Sequence, residues 1–347
     1  MFIEDVILYC FKSGDVMRYS TLYHLLKGKK TTSVLSYGKL YAILDYFYLF
    51  PKLSKTLFDS SIHSLVESGD LHQLDDQFVK LTDKGKARSQ NSALNQFSIK
   101  GFDYYKFDDL FWQRLLFISQ VISYKSYQNA DYLPIDNDPI HQLKIKQWLR
   151  QYTSDTLVID FFNEWKQLMG LLTQEEQDVL VSQLVGHDVV GYTLSQFAKQ
   201  TNHDVLYVYL LYKSSLHKMI EQLLLGVNGF PLIFSILASI EEERENDTVD
   251  VTSSLIEKGY SINQISHMRR LKESTITDHF IEMSLSKKGM DLIDYVTIDH
   301  QTKLKAYLAD NPVYKSWKFS DVIKTIPSLT FYEFKFYQFY LLEEGDN

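Results

Sequence analysis

Residues 252–283 constrain this chain more than any other stretch, because a glycine stop, a hydroxyl cap and two apolar spacings follow in the order a helix-turn-helix needs. Leu255 and Ile256 give a first helix an apolar edge. Gly259 ends it, since glycine takes a left-handed position after a helix without a Cβ penalty. Ser261 is placed to cap the next helix, and Ile262 and Ile265, three apart, share one of its faces. After a short polar turn, Ile276, Phe280 and Met283 fall at i, i+4 and i+7 on a third helix. Such a unit presents its last helix to a groove.

Residues 1–95 read as a winged helix. Helical segments are expected at Ile3–Phe11, Thr21–Leu26, Ser36–Phe50 and Thr56–Glu67, with Pro51 between the last two. Leu71–Leu74 and Phe78–Leu81 then flank Asp75-Asp76, which suits a hairpin, and Thr82 caps a closing helix. The region from 96 to 245 is expected to be helical, with Asp131–Pro139 as an exposed loop. Within it Gly191-Tyr-Thr-Leu-Ser-Gln-Phe-Ala198 echoes Gly259-Tyr-Ser-Ile-Asn-Gln-Ile-Ser266 at a spacing of 68, after a capping-box signature at Thr173–Glu176. This is read as a second helix-turn-helix. Near the C-terminus, Thr330–Glu333 opens a helix crowded with Phe331, Phe334, Phe336, Tyr337, Phe339 and Tyr340, which has to be buried in this chain or against a partner.

Charge is unevenly spread. The chain of 347 residues carries a net −8, yet residues 11–57 hold eight Lys and Arg against Asp15 and Asp45. A polyanion footprint is therefore expected at the N-terminal end. Its sharpest candidates are Arg18, Lys27, Lys29 and Lys30 with the hydroxyls of Thr31 and Thr32. Such groups neutralise phosphates without reading bases, so any DNA binding is expected to be weakly sequence-selective. In the C-terminal unit the candidates are Arg269, Arg270 and Lys272 with Ser274 and Thr275 at the start of the last helix. Against them stand Glu273, Asp278 and Glu282, and residues 252–296 balance six basic with six acidic residues. That balance leaves two readings open, a DNA contact or a protein-docking surface.

Other chemistry finds no signature. Gly28-Lys-Lys-Thr31 resembles the end of a phosphate-binding loop, but Tyr23 stands where its first glycine is required. No catalytic constellation, cofactor loop, metal-ligand spacing or small-molecule site is expected. The aromatics Phe102, Tyr104, Tyr105, Phe107, Phe111 and Trp112 are interleaved with Asp103, Asp108 and Asp109, so they read as core rather than as a stacking platform. The uncharged stretch Leu223–Ile240 is interrupted by Gly226, Asn228, Gly229 and Pro231, and reads as loop and core helix rather than a membrane span. A single cysteine, Cys10, and the acidic Glu4 and Asp5 in place of a basic signal region lead to a cytoplasmic expectation.

The segments Gly259-Tyr-Ser-Ile-Asn-Gln-Ile265 and Arg270-Leu-Lys-Glu-Ser-Thr-Ile-Thr-Asp-His-Phe280 resemble the helicase helix-turn-helix domain of RecQ-type helicases and of their partner proteins in Gram-positive bacteria. Thr21-Leu-Tyr-His-Leu-Leu-Lys-Gly-Lys-Lys-Thr-Thr32 resembles a stretch of those partners, the YpbB-like proteins. The expected organisation is thus mainly α: a winged-helix domain over 1–95, a helical domain over 96–245 with its second helix-turn-helix unit at about 171–220, and a helicase-type helix-turn-helix domain over 246–347. The resemblance implies a non-enzymatic DNA-binding adaptor working beside a RecQ-type helicase in repair or recombination. The alternatives are a protein–protein scaffold without DNA contact and a transcription regulator.

Overall fold

The structure is a computed structural model and describes residues 2–226, 229–244, 248–286 and 290–345. Asn228, named above as an interruption, and Lys287 and Lys288, counted in the C-terminal charge balance, lie outside the described residues. In chain order come α1 (Phe2–Tyr9), β1 (Met17–Arg18), α2 (Tyr19–Leu26), α3 (Thr32–Leu40), α4 (Lys55–Glu67), β2 (Leu71–Gln73), β3 (Phe78–Leu81) and α5 (Asp83–Gln90). The middle holds α6 (Gly101–Tyr104), α7 (Asp108–Ser126), α8 (Pro139–Gln151), α9 (Leu157–Met169), α10 (Gln174–Val181), α11 (Leu194–Thr201), α12 (Val205–Leu225) and α13 (Pro231–Arg244). Then follow α14 (Thr248–Glu257), α15 (Ile262–Arg269), α16 (Glu273–Ser286), α17 (Ile298–Asp310), α18 (Phe319–Thr325) and α19 (Phe331–Gly345). The fold is mainly α with one small sheet.

Where the sequence suggested three successive domains, the contacts group the chain into two compact units, each discontinuous. One joins Met1–Tyr9 to Ala87–Arg244, the other Cys10–Lys86 to Glu245–Asn347. The first helix therefore goes with the middle region. Its Phe2 ring meets Tyr207 of α12 edge-on at 5.7 Å, and Asp5 pairs with Arg88 at 2.6 Å.

The first unit is built on α7, α9, α12 and α13. The aromatic run reads as core here: Phe102, Tyr104, Phe107, Phe111 and Trp112 are all buried. The apolar stretch around 223–240 forms the end of α12 and most of α13, and among the described residues no helix is long and apolar enough to cross a membrane. A largely buried polar network locks α12 in place. Lys213 Nζ lies 2.8 Å from Asp108 and 2.7 Å from Asp109. His217 Nε2 is 3.0 Å from Asp108, and its Nδ1 accepts the Lys100 amide at 2.9 Å. An Nδ1 that accepts carries no proton, so Nε2–H donates to Asp108 and the ring is neutral. Burial holds the His217 pKa below the ordinary value, despite the opposing pull of Asp108.

In the second unit a three-stranded antiparallel sheet is ordered β1-β3-β2, with Met17 opposite Val79 and Leu71 opposite Leu81. Asp75 closes the hairpin by accepting the amides of Gln77 and Phe78 at 2.8 and 2.9 Å. Strand, helices, then hairpin is winged-helix order. The continuous helix expected over Ser36–Phe50 is not formed. It ends at Leu40, and the chain passes through left-handed Ala42 and Tyr48. The reason is at the end of α2: Tyr48 and Phe50 donate their amides to the terminal carbonyls of Leu25 and Leu26 at 3.0 and 2.9 Å, and Leu26 O is one of the carbonyls a helix end leaves without an intrahelical partner. The aromatic helix α19 is buried as expected, with Phe334, Phe336 and Phe339 at most 1% exposed.

A pH prediction follows from His217. Its folded-state pKa is lowered, so below about 6.5 the unfolded chain binds the proton more readily and stability falls as pH falls. The thermal midpoint is expected to drop between pH 7 and pH 5.5, and His217→Gln to be less stable at pH 7 but to show a shallower drop. Equal slopes for the two proteins would contradict a neutral buried His217.

Candidate nucleic-acid interface

The helix-turn-helix expected at the C-terminal end is present in detail. Gly259 ends α14 at φ +83°, with Gly259 N bonded to Ile256 O and Tyr260 N to Leu255 O at 2.9 and 3.2 Å, the double bond of a Schellman stop. Ser261 and Gln264 form a reciprocal capping box at the start of α15. Ile276, Phe280 and Met283 are buried, and the Phe280 ring packs edge-on against Phe336 at 4.8 Å.

The echo at 191–198 has the same build. Thr193 and Gln196 box the start of α11 as Ser261 and Gln264 box α15. Both helices are eight residues long and end on a left-handed residue, Asn202 at φ +57° and Arg270 at φ +54°. Val208 and Ile276, then Tyr212 and Phe280, are buried at matching positions of the next helix. The two units part at one position. Asp204 caps α12 through the Leu206 amide at 2.7 Å, which closes that helix end to anions. The residue 68 further on is Lys272, exposed just before α16. Its ammonium is a cation with no acceptor, so it cannot close the first turn as Asp204 does. Of the two, only α16 has a basic residue in the capping position, with Glu273 next to it in the first turn.

The acids that spoke against DNA contact largely face inward. Asp278 accepts the Thr32 amide at 2.8 Å and also the Thr32 hydroxyl. It therefore caps α3, a helix 246 residues away in sequence. Glu282 is buried. Glu273 stays exposed and takes the Asn263 side chain at 2.7 Å.

This bond also decides where the basic loop lies. Gly28, at φ +79°, ends α2 with the same Schellman pair, Gly28 N to Leu25 O and Lys29 N to His24 O, both 2.9 Å. A Cβ there would sit 2.1 Å from the Tyr48 ring, so the position requires glycine. The loop is thus a helix stop rather than a nucleotide loop, and the next helix gives its first amide to Asp278. Lys30 is two residues before Thr32, and Ser274 is one turn before Asp278. Both segments are therefore within about 7 Å of the joining bond along their backbones. Lys29, Lys30 and Thr31 on one side and Ser274 and Thr275 on the other form one surface of the second unit.

Further cations gather behind the loop. Burial, then Lys29, Lys55 and Arg18, lower the His24 pKa. The Lys27 and Lys55 ammonium groups lie 5.8 and 5.5 Å from the Tyr23 ring centre. Sequence alone did not single out His24 or Lys55. Lys55 lay inside the basic segment, but only the fold brings α4 to α2. The hairpin tip, Asp75 and Asp76, is exposed and acidic and suits no phosphate.

Two candidates need correction. Thr32 is 3% exposed and both its donors go to Asp278, so it positions the loop rather than touching a ligand. Arg269 turns back onto α14, bonding the Thr248 carbonyl and hydroxyl and the Thr252 hydroxyl. Arg18, Lys29, Lys30, Arg270, Lys272 and Ser274 are exposed, and Lys27, Thr31 and Thr275 are half-buried.

The fold and this surface define a helix-turn-helix protein, and a helix-turn-helix domain family matches residues 248–338. The class is one of DNA-binding proteins. The chain is also similar to Protein YpbB of Bacillus subtilis (strain 168), 25% identical over 319 residues that cover 88% of each chain, and is thus YpbB-like. No solved structure matches it.

Substitution separates the roles. Phe280→Ala is expected to cost about 3–5 kcal/mol in denaturant unfolding. Arg269→Ala is expected to cost about 1 kcal/mol, because its bonds to α14 go with it. Arg270→Ala and Lys272→Ala, both exposed, should stay within about 0.5 kcal/mol of the parent. A larger loss at Arg270 or Lys272 would make them structural.

Proposed function

We propose that this chain is a non-enzymatic DNA-binding protein that holds the duplex backbone on the surface joined by Thr32 and Asp278. The observation that supports the reading is that bond, because it puts the basic loop beside the start of α16, where an exposed lysine stands in the capping position. The contacts available are ammonium groups, a guanidinium and hydroxyls, which suit phosphates and read few base edges. Along α16, residues 279–284 are all buried, so only its first turn reaches a groove. Recognition helices use that end for base contact, and so short a reach gives weak selectivity. The finer role, an adaptor beside a RecQ-type helicase in repair or recombination, rests on the resemblance of Gly259–Ile265, Arg270–Phe280 and Thr21–Thr32 alone.

Binding to random-sequence duplex should weaken steeply with salt. Replacing Lys27, Lys29 and Lys30 together by Ala is expected to reduce the slope of log affinity against log salt by about 0.9 for each phosphate that is no longer neutralised. Arg270→Ala with Lys272→Ala should reduce it further. Fluorescence anisotropy across a salt series reads both. Affinity indifferent to salt would defeat the proposal, and strong preference for a palindromic site would favour the regulator. Pull-down of a RecQ-type helicase by the parent protein tests the adaptor role separately.

A further inference from the structure

The first unit carries an open trough of about 710 Å³ between α7 and α9. The α7 wall is low, formed by Ser119, Ile122, Ser123 and Ser126 at helical spacing. Its hydroxyls are already engaged. Ser119 Oγ accepts from Trp165 Nε1 at 3.2 Å, Ser123 Oγ accepts the His187 amide at 3.0 Å, and Ser126 Oγ donates to Ser123 O at 2.6 Å. The wall therefore asks nothing polar of an occupant. The α9 wall is high and apolar, running from Val158 through Phe162 and Trp165 to Met169. Those twelve residues, eleven helical rises, span about 16 Å, three turns. Phe162 is 63% exposed, Tyr127 at one rim 64% and Val181 at the far side 45%, a concentration of open apolar surface that marks interaction sites.

Charge narrows the occupant. Lys166 is the one charged residue lining the trough, and Lys125 stands on α7 next to the lining residue Ser126. Among the described residues neither has a carboxylate partner, although the chain as a whole is acidic. We propose that this trough docks an amphipathic helix of a partner protein, with apolar side chains at i, i+3/i+4 and i+7 in the trough and a carboxylate set against Lys166. A trough with about three turns of α9 on one side and two of α7 on the other matches the length and spacing of one helical face. The inference stands apart from DNA binding, since it uses the other unit.

The probe is a labelled synthetic helical peptide of the trough's length, with Leu at those spacings and Glu elsewhere, and its twin with Lys in place of Glu. Anisotropy with the full chain should show the acidic peptide bound and the basic one at least about tenfold weaker. Phe162→Glu should abolish binding, with folding checked by circular dichroism. Lys166→Glu with Lys125→Glu should reverse the preference while keeping the fold, both being exposed. Binding of neither peptide, or equal binding of both, would overturn the proposal. So would a dimer of this chain in light scattering that Phe162→Glu dissolves, since the trough would then hold a second copy.

Discussion

A carboxylate at the start of another helix is the interaction on which this structure most depends. The first amides of a helix have no internal acceptor, and an anion there satisfies both the hydrogen bond and the helix dipole. Asp278 on α16 supplies it to α3. Glu164 on α9 does the same for α13, accepting the Leu232 and Ile233 amides at 2.9 and 2.8 Å. Glu333 caps its own helix, takes the Thr297 amide at the start of α17, and holds His300 Nδ1 at 2.8 Å. Burial alone would raise the Glu333 carboxyl, but its bonds from Thr330, His300 and Thr297 outweigh that and keep it below its usual range. These three carboxylates are thus structural, and the net charge of −8 by itself misrepresents what the surface offers a polyanion.

The echoed segments show how one local backbone build serves two ends. Capping box, helix length and left-handed turn residue agree between 193–202 and 261–270. In the first unit Asp204 closes the following helix, and α12 continues as a buried spine locked by Lys213 and His217. In the second, Lys272 replaces the cap, Asp278 turns inward, and an exposed lysine stands at the helix start beside Glu273. The difference lies in two side chains rather than in the fold.

Much of this was legible in order. Hydroxyl-x-x-Glu or Gln boxes, Gly259, the Asp75-Asp76 hairpin and the buried face of Ile276, Phe280 and Met283 are local features, and periodicity and turn chemistry report local features well. The misses are long-range. Nothing near Ser36–Phe50 shows that the segment must turn back to satisfy Leu25 and Leu26. The pairing of Thr32 with Asp278 joins residues 246 apart, so Thr32 read as a contact and Asp278 as a repulsion. Arg269 and Arg270 look alike in sequence, yet one is tied to Thr248 and the other, at a left-handed turn, is exposed. The assignment of α1 to the middle unit depends on Tyr207 and Arg88, which no local pattern connects to residues 2–9.

Duplex binding by Asp278→Ala tests the central claim most directly, because the two views of Asp278 predict opposite signs. If Asp278 only repelled phosphate, its removal would tighten binding. If it holds the basic loop beside the start of α16, Asp278→Ala binds random-sequence duplex more weakly than the parent at equal salt, although the protein has become less acidic. Unchanged or tighter binding by a folded Asp278→Ala protein would contradict this account.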